Sequence, residues 1–134
     1  MLNNQHKTLL ICIALSLSPL SYASNNASAV TKELQQKYSK QGAGNFSAQR
    51  GKQLWEQDHN GRSCTQCHTQ SVKNIGKHKK TGKLIQPMAP SVNPKRLSKV
   101  RNVKKWLLRN CKWTLKRECS PQEKGDILMW LSQQ

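Results

Sequence analysis

Acidic residues are scarce in this chain: six Asp and Glu stand among 134 residues, against 23 Lys and Arg, for a formal net charge of +17. Apolar residues are scarce as well, at 35% of the chain, with one Phe, two Tyr and four Trp. The length fits one small domain and excludes a multidomain reading. So thin a set of apolar side chains seldom closes a core without a disulfide, a metal or a buried cofactor. Five cysteines supply the means. No apolar run reaches the ~20 residues that a membrane span needs. No segment reads as a strand, and no internal repeat is present. Aromatic residues are not interleaved with the basic runs in the way single-strand nucleic-acid binding requires, so no nucleic-acid partner is expected.

What is present begins with an export signal. The apolar run Leu9 to Leu17 follows Lys7 and has the length of a secretory signal core, and Ser21-Tyr22-Ala23 offers small residues where a signal peptidase reads. Cleavage is expected after Ala23. Residues 1–23 are then a signal peptide and 24–134 a mature periplasmic domain without membrane insertion. Its charge is +16, because Lys7 is removed, and its cysteines number four, because Cys12 is removed. Disulfides persist in such an oxidising compartment.

The mature segment reads as all-α, with about four helices. Ser24 to Ala29 is expected to be a flexible start. Val30, Leu34 and Tyr38 recur every fourth residue and predict a short helix over 31–40, ended by Gln41-Gly42-Ala43-Gly44-Asn45. A second helix is predicted from Ser47 to Gln57, with Leu54 and Trp55 on its apolar face and Gly51 one turn before Trp55. Residues 59–93 hold three Gly, two Pro and the basic run Lys77-His78-Lys79-Lys80, and read as loop. Asn93-Pro94 predicts the start of a third helix, with Leu97, Val100, Val103, Trp106 and Leu107 at helical spacing and an end near Asn110. Ser120-Pro121-Gln122-Glu123 is a capping box that opens a fourth helix through Ile127, Leu128, Trp130 and Leu131. The second and fourth helices are expected to cross near Gly51, Trp55, Ile127 and Trp130.

The informative motif is Cys64-Thr65-Gln66-Cys67-His68. Two thiols three residues apart on a tight turn can add to the two vinyl groups of one haem, and the next residue is then held at the iron. Cys64 and Cys67 are the expected thioethers and His68 the proximal ligand, so one covalent haem c is the expected cofactor. A thioredoxin-like redox pair would need a βαβ context, which is missing. A zinc site would need a second ligand pair, and Cys111 and Cys119 lie eight apart, unlike zinc-finger spacings. Those two cysteines are instead expected to pair with each other. The sixth ligand is open at this point among Met88, Met129, His59, His78, Asn110 and a lysine. Met129 fits the apolar pattern of its helix, and His78 sits among lysines. Met88 lies in a proline-containing loop suited to crossing the distal face, as an electron carrier would require. Asn110 falls on the stripe of Val103, Trp106 and Leu107, where an amide turned into a core needs a partner.

From Gly61 to Leu131 the chain resembles the SHP-type oxygen-binding monohaem cytochromes c, a variant of the class I cytochrome c fold. The similarity rests on Ser63 to His68, Thr81 to Ser91, Lys105-Trp106-Leu107-Leu108-Arg109-Asn110-Cys111, and Glu118-Cys119-Ser120-Pro121 with the helix that follows. The resemblance implies that Asn110 is the distal iron ligand, that Cys111 and Cys119 form a disulfide beside it, and that a dihaem cytochrome c donates electrons. It implies redox-gated binding of O2 or NO. A plain carrier with Met88 or a His as sixth ligand is the alternative. An oxygen or NO reductase would further need a proton donor near the iron. The surplus of positive charge, about +14 once two haem propionates are included, fits an acidic redox partner.

Overall fold

The computed structural model describes residues 21–134, so the signal core at Leu9 to Leu17 lies outside the described residues. Three long helices, α1 (Ser21–Ser39), α2 (Ala48–Glu56) and α5 (Pro121–Leu131), form the closed part of the molecule. A fourth long helix, α4 (Val100–Thr114), flanks a segment that holds the one-turn helix α3 (Thr65–His68) and a two-stranded antiparallel ribbon, β1 (Gly76–Lys77) and β2 (Leu84–Ile85). The all-α expectation holds, with the ribbon as an addition. Two-residue strands are too short to show an alternating pattern in the sequence.

The first helix departs from expectation at its start. The segment expected to be flexible is helical, because the buried stripe begins earlier and runs Ala27, Thr31, Leu34, Tyr38. Ala27 has no exposed surface. Cleavage after Ala23 would fall within the first turn of α1. The stripe packs on α5, where the Gln35 side-chain amide donates to the Gly125 carbonyl at 3.1 Å.

Helices α2 and α5 make the principal crossing. Ser47 caps α2 by accepting from the Arg50 amide, and the helix has the boundaries its pattern predicts. Gly51 lies against the Asp126 carbonyl so closely that a Cβ would run into that backbone. The predicted capping box opens α5: Ser120 Oγ accepts from the Glu123 amide, and the Glu123 carboxylate accepts from the Ser120 amide at 2.7 Å. Asp126, 3% exposed, accepts from the Ser47 amide, from Nε and Nη2 of the Arg50 guanidinium and from the Gln122 amide group. A buried carboxylate with so many donors is satisfied rather than stranded, and it fixes the entry of α2 relative to α5. Above it, the rings of Trp55 and Trp130 pack at 5.4 Å.

The third predicted helix is corrected at both ends. Asn93 does not open it. Its side chain donates to the Pro87 carbonyl and accepts from the Lys95 amide, and buried Leu97 adopts φ +52°, which breaks any helix begun at Pro94. The helix starts at Val100 and runs past Asn110 to Thr114. Val103, Cys111 and Thr114 are buried, whereas Trp106, expected in the core, is 48% exposed. Asn110 is exposed rather than turned into a core. It lies on the flank of α4 that also carries the exposed Trp106 and Trp113. Cys111 and Cys119 stand 5.5 Å apart between Cα atoms, with their sulfurs at disulfide distance.

Candidate haem site

One turn of helix makes the attachment geometry. The Cys67 and His68 amides both point to the Cys64 carbonyl, at 3.2 and 3.0 Å. Residues at i, i+3 and i+4 then share one side, so both thiols and the imidazole project together. Cys64 and Cys67 are free and half-buried. The turn is held from below by Gly61 and Asp58, through the Gly61 amide on the Asp58 carboxylate and the Gln66 side chain on the Gly61 carbonyl.

The surroundings select the ligand form of His68. Burial, with Arg96 adding to it, pushes the imidazole down to about 4, so it is neutral at physiological pH, the form that coordinates a metal. Trp55 packs its ring 5.1 Å from His68. The Trp55 indole N–H is buried and has no acceptor among the described residues. An orphaned donor beside the proximal position fits a group that brings carboxylates, as haem does through its propionates. Burial also raises the Cys64 thiol to about 11, opposed by a hydrogen bond with Thr114.

That Thr114 contact brings the end of α4 to the attachment turn. Arg62 reinforces it by donating to the Trp113 carbonyl at 2.9 Å while its guanidinium lies 5.0 Å from the Trp113 ring centre. A cavity of about 380 Å³ adjoins this junction, lined by Asp58, His59, Arg62 and Thr114. The His59 Nε2 atom is buried and has no partner among the described residues. Asn110 lies one turn before Thr114 on the same helix.

The other ligand candidates are placed differently. The amides of Met88 and Ala89 both donate to the Val72 carbonyl, at 2.8 and 3.0 Å, which fastens the Met88 loop to the segment just after His68. Arg96 ties the same loop through the Pro87 and Gln86 carbonyls. Its charge reaches His68 as well. His78 is exposed in the ribbon turn, where Nδ1 accepts from the Thr81 amide. Met129 is half-buried on α5. Sequence reasoning missed Arg96, Thr114 and Arg62. Trp55 it placed on a helix face without assigning it to the site.

Helices around a C-x-x-C-H turn define a c-type cytochrome of the class I kind, with haem c and its iron as cofactor. Residues 41–131 match the family model described as Domain of unknown function (DUF1924), and the chain belongs to that family and is similar to the SHP-type cytochromes c. It is 47% identical over 72 residues to the cytochrome c-type protein SHP of Cereibacter sphaeroides, covering 54% of this chain and 55% of that protein. To cytochrome c'' of Methylophilus methylotrophus it is 39% identical over 69 residues, covering 52% of this chain and 48% of the relative. The chain thus matches about half the length of these curated relatives. The structure of oxidized SHP, an oxygen-binding cytochrome c, superposes with a TM-score of 0.72 at 38% identity over 78% of this chain and 96% of that one. Oxidized cytochrome c'' superposes with a TM-score of 0.66 at 29% identity, over 81% and 94%. No helix among the described residues is long and apolar enough to cross a membrane.

Proposed function

We propose that this chain is an exported periplasmic cytochrome, cleaved after Ala23, that exchanges electrons with an acidic dihaem cytochrome c and binds O2 or NO once a distal Asn ligand has left. Haem c supplies an iron with two axial positions and two oxidation states. Cys64 and Cys67 hold the group covalently, and neutral His68 occupies the proximal position. Asn110 offers a neutral carboxamide oxygen, a weak and hard donor that suits ferric iron better than the softer ferrous ion. Asn110 would hold the ferric ion and let go of the ferrous one, and the haem would then offer its iron to a diatomic ligand. The Cys111–Cys119 disulfide holds the helix turn that carries Asn110.

The observation that carries this reading is the placement of two side chains. Asn110 is exposed on α4 one turn from Thr114, whose hydroxyl meets Cys64. Met88 belongs to a loop fastened to Val72 and, through Arg96, to the His68 side. Support also comes from the likeness to an oxygen-binding cytochrome c and to cytochrome c'', whose solution structure was analysed for the basis of haem-ligand detachment.

Two substitutions test it through the absorption spectrum. Asn110→Ala leaves the ferric protein five-coordinate or water-bound and speeds ligand entry, whereas Met88→Leu changes neither the ferric spectrum nor carbon monoxide binding to the ferrous form. The reverse pattern makes Met88 the ligand and the protein a plain electron carrier.

A further inference from the structure

The ribbon is docked on the haem-attachment turn. Gly76 sits so near the Cys67 carbonyl that a Cβ there would collide with it. The Lys79 amide lies 3.4 Å from the Cys67 sulfur, and the Lys79 ammonium donates to the Gln66 side chain at 3.1 Å. At Lys79 the ribbon turn therefore puts a single backbone amide between its own surface and the sulfur of Cys67.

The ribbon's outer face has a definite chemistry. Lys77 pairs across the ribbon with Leu84, so the two share a face, while Gly76 and Ile85 share the other. Leu84 is 69% exposed and Ile75 54%, the two most exposed large apolar side chains among the described residues. Around them stand Lys77, Lys79, Lys80 and Lys83, all exposed. Among the described residues none of the four takes part in an ion pair. The sequence explains why: sixteen of the 23 Lys and Arg fall between residues 59 and 117, and no Asp or Glu does. An apolar centre inside a rim of unpaired like charges is the layout of an interface that steers an oppositely charged protein and then holds it briefly.

We propose that the ribbon, residues 75–84, is the docking face for an acidic one-electron redox protein, with Ile75 and Leu84 as the contact centre and the four lysines as the steering rim. The proposal rests on the electron-exchange reading and adds where the exchange occurs. The step is an outer-sphere transfer: the partner's reduced centre loses one electron, the ferric iron gains it, and no bond forms or breaks.

A second basic surface provides the control. Lys104 and Lys105 on α4 line a groove with Lys37 of α1 and Lys124 of α5, away from the ribbon. The test follows reduction of the ferric holoprotein by the hydroquinone of an acidic flavodoxin in a stopped-flow instrument, across a series of ionic strengths. The variants are Lys79→Gln with Lys80→Gln, and Lys104→Gln with Lys105→Gln, which change net charge equally. The ribbon variant should lose about fivefold or more in second-order rate at low salt and show a flatter salt dependence, while the groove variant loses less than about twofold. Leu84→Asp, which leaves the lysines in place, should slow the reaction as well. Equal losses in the two lysine variants, or an unchanged ribbon variant, overturn the docking face and leave electron exchange standing. A wild-type rate that is flat with salt overturns both the face and the acidic partner.

Discussion

Replacing Gly51 with Ala sets two effects of opposite sign against each other. Within a helix, Ala is favoured over Gly by about 1 kcal/mol, so propensity alone predicts a more stable protein. The packing predicts the reverse. A Cβ at Gly51 would meet the carbonyl and carbon of Asp126 and the amide nitrogen of Ile127, all of them backbone, which cannot turn aside as a side-chain tip can. Relief requires α2 and α5 to separate, and overpacking of this kind costs about 3 kcal/mol at the upper end of its usual range. The net loss is about 2 kcal/mol, or roughly 10 °C in melting temperature for a domain of this size. Thermal unfolding of the holoprotein followed by circular dichroism measures it. Gly44→Ala is the control, since a Cβ there meets nothing within 4 Å, and its melting temperature should stay level or rise slightly. If Gly51→Ala melts at or above the wild-type temperature, the close helix crossing is wrong.

Reducing the Cys111–Cys119 bridge should lower stability by about 2–3 kcal/mol, the chain-entropy value for a short loop; labelling of both thiols in the native oxidised protein would show that no bridge exists. Glu123→Ala should cost about 1 kcal/mol through the lost cap, read by chemical denaturation. The Arg117 hydrogen bond holds the Glu123 carboxyl below its ordinary value, so this contribution is present above the usual glutamate range and fades as pH falls through the lowered folded value; a wild-type to variant difference constant into acid would refute the pairing. Burial and Arg96 favour neutral His68, and iron competes for the same form, so acid loss of the proximal ligand should begin only near or below pH 4 in a spectral titration, and a transition near pH 6.5 would contradict the buried site.

Signals carried by neighbouring residues were legible in the sequence. The capping box at Ser120 and the C-x-x-C-H turn each depend on four or five consecutive residues, and each forms as its pattern predicts. The crossing of α2 with α5 was legible too, because a small residue one turn from Trp55 has few other uses. Asn93-Pro94 misled, since the same pair that opens helices also serves a loop whose carbonyls are claimed by Arg96, a contact formed only in the folded chain. Helical spacing put Trp106 and Asn110 beside Val103, and they do lie beside it. Periodicity gives an angle around the helix, however, and not which side of that angle the rest of the chain covers. Arg96 and Thr114 carried no local signal, because one acts through His68 and the other through Cys64, both distant in sequence.

The charge distribution divides the labour of the molecule. All six carboxylates lie outside residues 59–117, and the one that is buried, Asp126, ties α2 to α5. The segment between holds the attachment turn, the ribbon and all of α4, and its exposed apolar side chains, Ile75, Leu84, Trp106 and Trp113, stand in a stretch of sequence without Asp or Glu. Like charges so crowded repel one another and weaken a compact state, so this segment depends on fastenings within itself, Arg62 on Trp113 and Arg96 on Gln86 and Pro87, and on the closed part through Trp55 against His68. A substitution among α1, α2 and α5 should therefore appear first as lost stability. One on the exposed face of residues 59–117 should leave the melting temperature nearly unchanged and appear as an altered ligand or partner rate. Asn110→Ala and the ribbon lysine variants belong to the second class, so a large drop in melting temperature for either would mean that these residues hold the fold rather than serve the haem.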